Sequence, residues 1–375
     1  MFNTSEHGNY LRLGNYVQIK TGKLDANASV PDGQYPFFTC ASEPLKIDAY
    51  SYDCECVLVS GNGDLNVKYY SGKFDAYQRT YIIESLNPRF LDNKFLYFFL
   101  SLYIEQLRYD SIGGIIKYIK LENLTDAAIP IVSLEKQRKV ITTLEKADRL
   151  RRTRRYALEL SDTYLRSVFL EMFGDPAENP KSWKISELND VCNKVTDGTH
   201  QPPVFTPSGI PFIFVQNIAQ GEIDFSNTRY VSEETYHQLT RNTKVDKGDI
   251  IYSSVGVSFG VAVQVSTNRK FTFQRHIAHL KPKHDEVNSV FLSAQMNNPF
   301  VYSQAARASR GAAQPTVNLG DIKEFKVIIP PLPLQEKFAA IVQKSDRIRA
   351  QQRESLRQAE HLFQTILHRA FRGEL

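Results

Sequence analysis

Lys146-Ala147-Asp148-Arg149-Leu150 and Lys344-Ser345-Asp346-Arg347-Ile348 stand 198 residues apart and are two versions of one stretch. At the same spacing, Leu134 falls on Leu332, Gln137 on Gln335, Leu158 on Leu356 and Phe173 on Phe371. Toward the N-terminus, Ser111 meets Ser309, Gly113 meets Gly311, Leu121 meets Leu319 and Ile131 meets Ile329. No gap is needed between 111 and 173. Further upstream the shift falls by two, and Tyr77-Gln78-Arg79 meets Phe273-Gln274-Arg275. Self-similarity at a long fixed period marks a duplicated architecture.

Each copy has the same internal order. A mixed segment rich in β-branched and aromatic residues, broken by Gly, Asn and Pro, has the composition of short strands and turns. A long helical stretch follows. The first helix is expected from Leu134 to Phe173, with Ser133 as its N-cap and Gly174-Asp175-Pro176 as its stop. The second is expected from Leu334 to Phe371, entered through Pro330, Pro331 and Pro333. Apolar positions recur at Leu334, Phe338, Ile341, Ile348, Leu356, Ala359, Phe363, Ile366 and Ala370, close to a heptad seam that slips near Gln352. The first helix carries Val140, Ile141, Leu144, Leu150, Leu158, Leu165, Val168 and Met172. Forty residues of helix span ~60 Å, too long to bury in a small globule, so an antiparallel pair is expected. The alternative is that each helix packs only on its own domain. The expected class is α+β: two α/β lobes of small twisted sheets at 1–132 and 177–331, separated by spacer helices at 133–176 and 332–375 that form an antiparallel coiled coil, with an internal pseudo-two-fold repeat.

A length of 375 residues suits two such lobes, and 42% hydrophobic with 23% charged residues is ordinary for globular proteins. No apolar run reaches the eighteen residues a membrane helix needs. The start, Met1-Phe2-Asn3-Thr4-Ser5-Glu6-His7, does not have the form of a secretion signal. Four cysteines, Cys40, Cys54, Cys56 and Cys192, fit a reduced cytoplasmic protein. The net charge of +5 hints at a polyanionic partner, but residues 1–132 hold 12 Lys and Arg against 15 Asp and Glu. Net charge alone therefore does not establish DNA binding.

Several stretches resemble specificity subunits of type I restriction–modification systems. Phe173-Gly174-Asp175-Pro176, Asn179-Pro180-Lys181-Ser182-Trp183 and Ala370-Phe371-Arg372-Gly373-Glu374-Leu375 are similar to the family's segments after its spacer helices. Ile329-Pro330-Pro331-Leu332-Pro333-Leu334-Gln335-Glu336-Lys337 resembles the lead into a spacer; its counterpart, Ile129 to Gln137, lacks the double proline. Tyr35-Pro36-Phe37-Phe38-Thr39-Cys40, Ser60-Gly61-Asn62-Gly63-Asp64 and Lys73 to Tyr81 resemble one type of target-recognition domain. Asp197-Gly198-Thr199-His200-Gln201-Pro202-Pro203, Gly209-Ile210-Pro211-Phe212 and Gly311-Ala312-Ala313-Gln314-Pro315 resemble another. The resemblance implies a non-catalytic subunit that reads double-stranded DNA as two unlike half-sites separated by an unread gap, which the helix pair sets. It implies two docked methyltransferase subunits and a translocase–nuclease subunit, which carry S-adenosylmethionine, ATP and Mg²⁺. No cofactor is expected on this chain.

The residues themselves carry no familiar catalytic motif. Adenine methyltransferases hold the flipped base with an Asn/Asp-Pro-Pro-aromatic stretch. Asn87-Pro88-Arg89-Phe90 and Asn298-Pro299-Phe300 both lack its second proline. Gly61-Asn62-Gly63 lacks the third glycine of a dinucleotide loop, and there is no P-loop lysine motif. Cys54-Glu55-Cys56 has the wrong spacing for zinc, and the eight histidines are scattered. Two rival readings stay open: a self-sufficient methyltransferase or nuclease with unfamiliar motifs, and a coiled-coil adaptor that never meets DNA.

Base readout needs amide, guanidinium, imidazole or hydroxyl groups on loops at a groove edge. The foremost candidates are Tyr77, Gln78, Arg79 and Thr80, and at the matching place Gln274, Arg275 and His276; otherwise these are solvent-facing strand residues. Thr199, His200 and Gln201 lie in a turn between Gly198 and Pro202 that presents bases with His and Gln or is merely a turn. Asn62, with Lys68 nearby, belongs to a phosphate-approaching loop or a hairpin turn. Lys20, Lys23, Lys73 and Lys117 are candidate phosphate partners, and Ser309 and Gln314 sit beside a Gly-rich loop. The mid-helix arginines Arg149, Arg151, Arg152, Arg154 and Arg155 contact phosphate or an acidic partner, or else form a polar face that fixes helix register.

Overall fold

The computed structural model describes residues 10–241, 244–256, 258–309 and 315–375. The chain divides into two compact units, residues 1–157 with 352–375, and residues 158–351, so each long helix has one half in each unit.

In the first unit the chain runs through β1 (Tyr10–Arg12), β2 (Val17–Thr21), β3 (Tyr35–Phe38), β4 (Leu45–Ile47), β5 (Tyr52–Ser60), β6 (Val67–Ala76) and β7 (Thr80–Ser85). It continues through helix α1 (Asn93–Asp110), α2 (Leu121–Thr125) and β8 (Ala128–Pro130), which pairs with β1, into helix α3 (Leu134–Phe173). Strands β2-β7-β5-β6-β3-β4 form one sheet, antiparallel except where β3 meets β6. Cys56-Val57-Leu58-Val59-Ser60 of β5 is buried without alternation, because both sheet faces are covered. Phe95, Leu96 and Phe99 of α1 join the cluster containing Val57 and Val59, whereas Phe38, Phe74 and Ile82 pack around Leu58.

The second unit repeats this plan with β9 (Lys184–Glu187), β10 (Cys192–Asp197), β11 (Ile210–Ile213), β12 (Arg229–Val231), α4 (Glu233–Leu239), β13 (Ile250–Ser253), β14 (Ala262–Gln264), β15 (Thr272–Phe273) and β16 (Ile277–Pro282). Then come α5 (Ser289–Met296), α6 (Pro299–Ala308), α7 (Leu319–Lys323), β17 (Lys326–Ile329), which pairs with β9, and α8 (Leu332–Phe371). The order β10-β16-β13-β14 matches β2-β7-β5-β6. The counterpart of β6 is split: seven steps lead from Tyr69 to Ala76, but nine from Gln264 to Phe273, and the two extra residues interrupt the ladder between β14 and β15. The counterpart of α1 is also split. Asn298 caps α6 and Pro299, which has no N–H to give, opens it.

Both 40-residue helices form at the expected places, the second starting two residues earlier at Leu332. Their first turns are anchored alike. Gln137 is fully buried; its Oε1 accepts from the Asp92 amide at 3.0 Å, and its Nε2 donates to Phe90 O and Val132 O. Gln335 does the same with the Asn288 amide at 2.9 Å, Glu286 O and Pro330 O. Asp92 and Asn288 are the N-caps of α1 and α5, so each glutamine ties the start of a long helix to the N-terminus of an earlier helix of the same unit.

Within the first unit, Arg151 of α3 stacks over Phe363 of α8 at 3.9 Å and Arg155 pairs with Glu360 at 2.8 Å. Numbers rise along one helix as they fall along the other, so the halves run antiparallel. Phe371 at the end of α8 packs on Phe95 and Phe99 of α1. In the second unit Phe169 and Phe173 of α3 meet Phe338 of α8 and Phe291 of α5. Helix α3 therefore leaves the core next to which it starts and ends in that of the other unit.

The expected seam needs one correction. Leu150 and Ile348 are exposed at 40% and 47%, whereas Ala147 and Ser345 are buried at 5% and 7%. In each helix a small side chain is buried at this point, and the larger apolar group three residues on is exposed. Of the arginine cluster, Arg149, Arg152 and Arg155 are exposed and Arg151 and Arg154 are half-buried. Arg151 and Arg152 both hold Asp148, at 2.6 and 2.7 Å, and Arg154 reaches Gln352 at 3.4 Å.

Candidate nucleic-acid interface

In the first unit four turns converge through backbone hydrogen bonds. The β6–β7 turn, residues 77–79, receives the Gly61 amide on Arg79 O at 2.7 Å and gives the Gln78 amide to Leu24 O at 2.9 Å. The β5–β6 turn, which begins at Gly61, passes the Gly63 amide to Lys117 O at 2.9 Å, and Gly61 O accepts from Ile119 N at 2.9 Å. Loop 22–24 closes against the first turn because Gly22 has no side chain: a Cβ there would lie 2.1 Å from Ala76 O. Gln78 and Arg79 are exposed at the centre of this group, with Lys23 and Lys117 exposed on flanking loops.

The second unit builds the same cluster. His276 O accepts from the Ser254 amide at 3.0 Å, the Arg275 amide donates to Thr199 O at 3.0 Å, and Ser254 O accepts from Val317 N at 3.0 Å. Gly198 repeats Gly22, with a Cβ position 2.2 Å from Phe273 O. These bonds correct the sequence register by one residue. Tyr77 N donates to Phe38 O as Gln274 N does to Ile213 O, so Tyr77 corresponds to Gln274, Gln78 to Arg275 and Arg79 to His276. The sequence match paired Tyr77 with Phe273 because both are aromatic; the ladder pairs them by amide.

Arg275 is exposed and its Nε–H donates to His276 Nε2 at 3.2 Å, while His200 leans on Asp197 at 3.0 Å. Burial first, then the positive Arg275 and the neighbouring His200, hold the His276 imidazole below its ordinary value. It is neutral at pH 7 and able both to donate and to accept. The Thr199 hydroxyl is turned inward to Gln201 O at 2.8 Å, leaving the Gln201 side chain exposed in the same loop.

Other candidates are placed differently. Thr80 is 1% exposed and its hydroxyl donates to Phe38 O, so it presents nothing to a groove. Lys20 is on β2, paired with Glu84 at 3.0 Å, and that hydrogen bond raises its pKa despite opposing burial. Lys73 stands over the Tyr50 ring at 4.6 Å on the far part of β6. Lys68 lies beside the β5–β6 turn and hydrogen-bonds Asn66; burial lowers its pKa, with Cys40, Glu43 and Asp64 opposing. Asn62 is held through its Oδ1 by the Cys40 thiol at 2.9 Å and belongs to a hairpin turn. Ser309 ends α6, its hydroxyl on Ala306 O at 3.1 Å, and Gln314 lies outside the described residues.

Cys40, whose thiol also touches Arg79 O at 3.7 Å, is not among the sequence candidates, and of the loop from Ile112 to Tyr118 only Lys117 is. The Gly113-Gly114 pair was the available signal for the loop; nothing in the spacing of Cys40 announces its contact. Among the described residues no group of three or more His, Cys, Asp or Glu is placed to hold a metal ion, and no helix is long and apolar enough to cross a membrane.

Comparison with known proteins gives a consistent result. Residues 9–160 and 180–358 each match the family described as type I restriction modification DNA specificity domain. The EcoDI specificity subunit of a type I restriction enzyme from Escherichia coli is 28% identical over 97% of this chain and 88% of its own length. The EcoBI specificity subunit, also from Escherichia coli, is 26% identical over 86% and 74%. The type I restriction-modification S subunit from M. genitalium has the same fold, with a TM-score of 0.64 at 18% identity over 99% of this chain and 98% of that one.

Proposed function

Because the chain belongs to the type I restriction modification DNA specificity family, and is thus a DNA-recognition subunit and not a catalytic one, we propose that each of its units reads one half of an interrupted DNA site. The observation that carries this reading is the loop cluster built twice. Arg79 O and His276 O hold equivalent amides, and each cluster exposes a different set of polar side chains. Gln78 and Arg79 address one half-site; Arg275, His276, His200 and Gln201 address the other. Arg reads guanine and Gln reads adenine through paired hydrogen bonds, whereas His is less selective. Unlike side chains at equivalent positions mean unlike half-sites.

Helices α3 and α8 set the unread gap in this reading, since base pairs stack every ~3.4 Å and a stiff helix transmits a fixed length. Their outer faces dock the methyltransferase subunits, which supply the adenine chemistry with S-adenosylmethionine; a translocase–nuclease subunit supplies the ATP- and Mg²⁺-dependent steps. Methylation mapping of DNA from cells that express this chain with its methyltransferase partner tests the proposal. One bipartite, interrupted site is expected. Inserting four residues into both helices should lengthen the gap and leave both half-sites unchanged; altered half-sites around a fixed gap would contradict the role of the helices.

A further inference from the structure

The loop between α1 and α2 carries an apolar tip in solvent. Ile115 is fully exposed and Ile116 is 63% exposed, with Lys117 and Lys120 exposed behind them. The tip is held in place by backbone. Ile112 and Tyr118 exchange both amide bonds, at 3.0 and 2.9 Å, closing a five-residue hairpin over Gly113 to Lys117. Gly113 has φ +117°, and a Cβ there would lie 2.5 Å from Ile116 O, so the turn depends on glycine. Its base is bonded to the β5–β6 turn by Gly63 N on Lys117 O, and that turn is bonded to Arg79 O by Gly61 N. Two β-branched side chains are thus presented next to the polar reading turn of the first unit. Nothing in the first unit's own core uses them.

We propose that Ile115 and Ile116 form an apolar finger that enters a DNA groove beside Arg79 and contacts base edges of the first half-site. This rests on the reading that the first unit is a DNA reader. Two features on this loop choose DNA over a protein surface as the occupant. The tip is continuous, through backbone bonds, with the turn that presents Gln78 and Arg79, and lysines flank it where phosphates would run. Apolar side chains read thymine methyl groups in the major groove and wedge into base steps from the minor groove. In the sequence repeat, Ile116 falls on Gln314, a residue type that reads bases by hydrogen bonds.

The test uses the full chain assembled with its methyltransferase subunits and a duplex bearing the mapped site. In the variant Ile115→Thr with Ile116→Thr, β-branching is kept and little buried surface is lost, so the melting temperature should not move. Affinity for the specific duplex is expected to fall about tenfold to a hundredfold, with discrimination lost in the first half-site only. The salt slope should be unchanged, because no phosphate contact is removed. Wild-type affinity and an unchanged methylation map for the variant would overturn the finger. So would loss of methyltransferase assembly with intact DNA discrimination, which would assign the tip to a protein partner. If the wild-type complex itself shows no bipartite preference, the underlying reading fails and not merely the finger.

Discussion

Strands β7 and β16 occupy the same place in two copies of one sheet, yet their centres are built from opposite chemistry. In the first unit Ile82 pairs across to Leu58, with Cys56 two residues along, and all three are buried. In the second, His279 pairs across to Ile251, and Asp249 takes the place of Cys56. His279 is fully buried and its Nε2 lies 2.7 Å from Asp249 Oδ2, which also accepts Lys281 at 2.8 Å and the Asp246 amide at 2.8 Å. Burial raises the Asp249 pKa, but His279, the Asp246 amide and Lys281 together pull it below the ordinary carboxylate value. The comparison teaches that a core position tolerates charge only when the partner changes with it.

The shared parts should break hardest. Gly22→Ala and Gly198→Ala each force a Cβ into backbone carbonyls, and both should destabilise their unit by more than about 3 kcal/mol, seen as a lowered thermal midpoint. Unequal effects would mean that the two loop clusters are not equivalent. The linked set comes next. His279→Ile alone leaves Asp249 buried with less support and should cost about 3 kcal/mol. Adding Asp249→Cys, which recreates the first unit's pairing, should recover most of that loss in a denaturant titration; no recovery would sever the link. Gln137→Ala and Gln335→Ala each remove the partner of a half-buried amide and of two carbonyls and should cost about 2 kcal/mol apiece.

The smallest effect is electrostatic. His276 has a depressed pKa, so its contribution to stability is full above the ordinary value of 6.5 and falls as pH drops through that value toward the folded pKa. The first unit has Arg79 at this position, which stays charged. Thermal midpoints followed from about pH 8 to about pH 5 should therefore show an acid loss that His276→Gln reduces and that Arg79→Gln leaves unchanged.

The long helices were legible because forty residues of apolar periodicity outweigh any local noise, and Gln137 and Gln335 are a polar match within the repeat. The middle of the helices was not: Leu150 and Ile348 look like core by type, yet they are exposed, and the smaller Ala147 and Ser345 are the buried residues. The reading turns were legible as places and not as register, since side-chain type aligned Tyr77 with Phe273 whereas amide bonding aligns it with Gln274. Pairing of Asp249 with His279, thirty residues apart, leaves no local pattern and shows only in the folded sheet.

The most direct test of two separate readers is a methylation map of Arg79→Ala and Arg275→Ala variants, each expressed with the methyltransferase partner. Arg79→Ala is expected to relax sequence preference in one half-site alone and Arg275→Ala in the other alone, with the gap unchanged in both. If both variants relax the same half-site, or neither changes the map, the assignment of one half-site to each unit is contradicted.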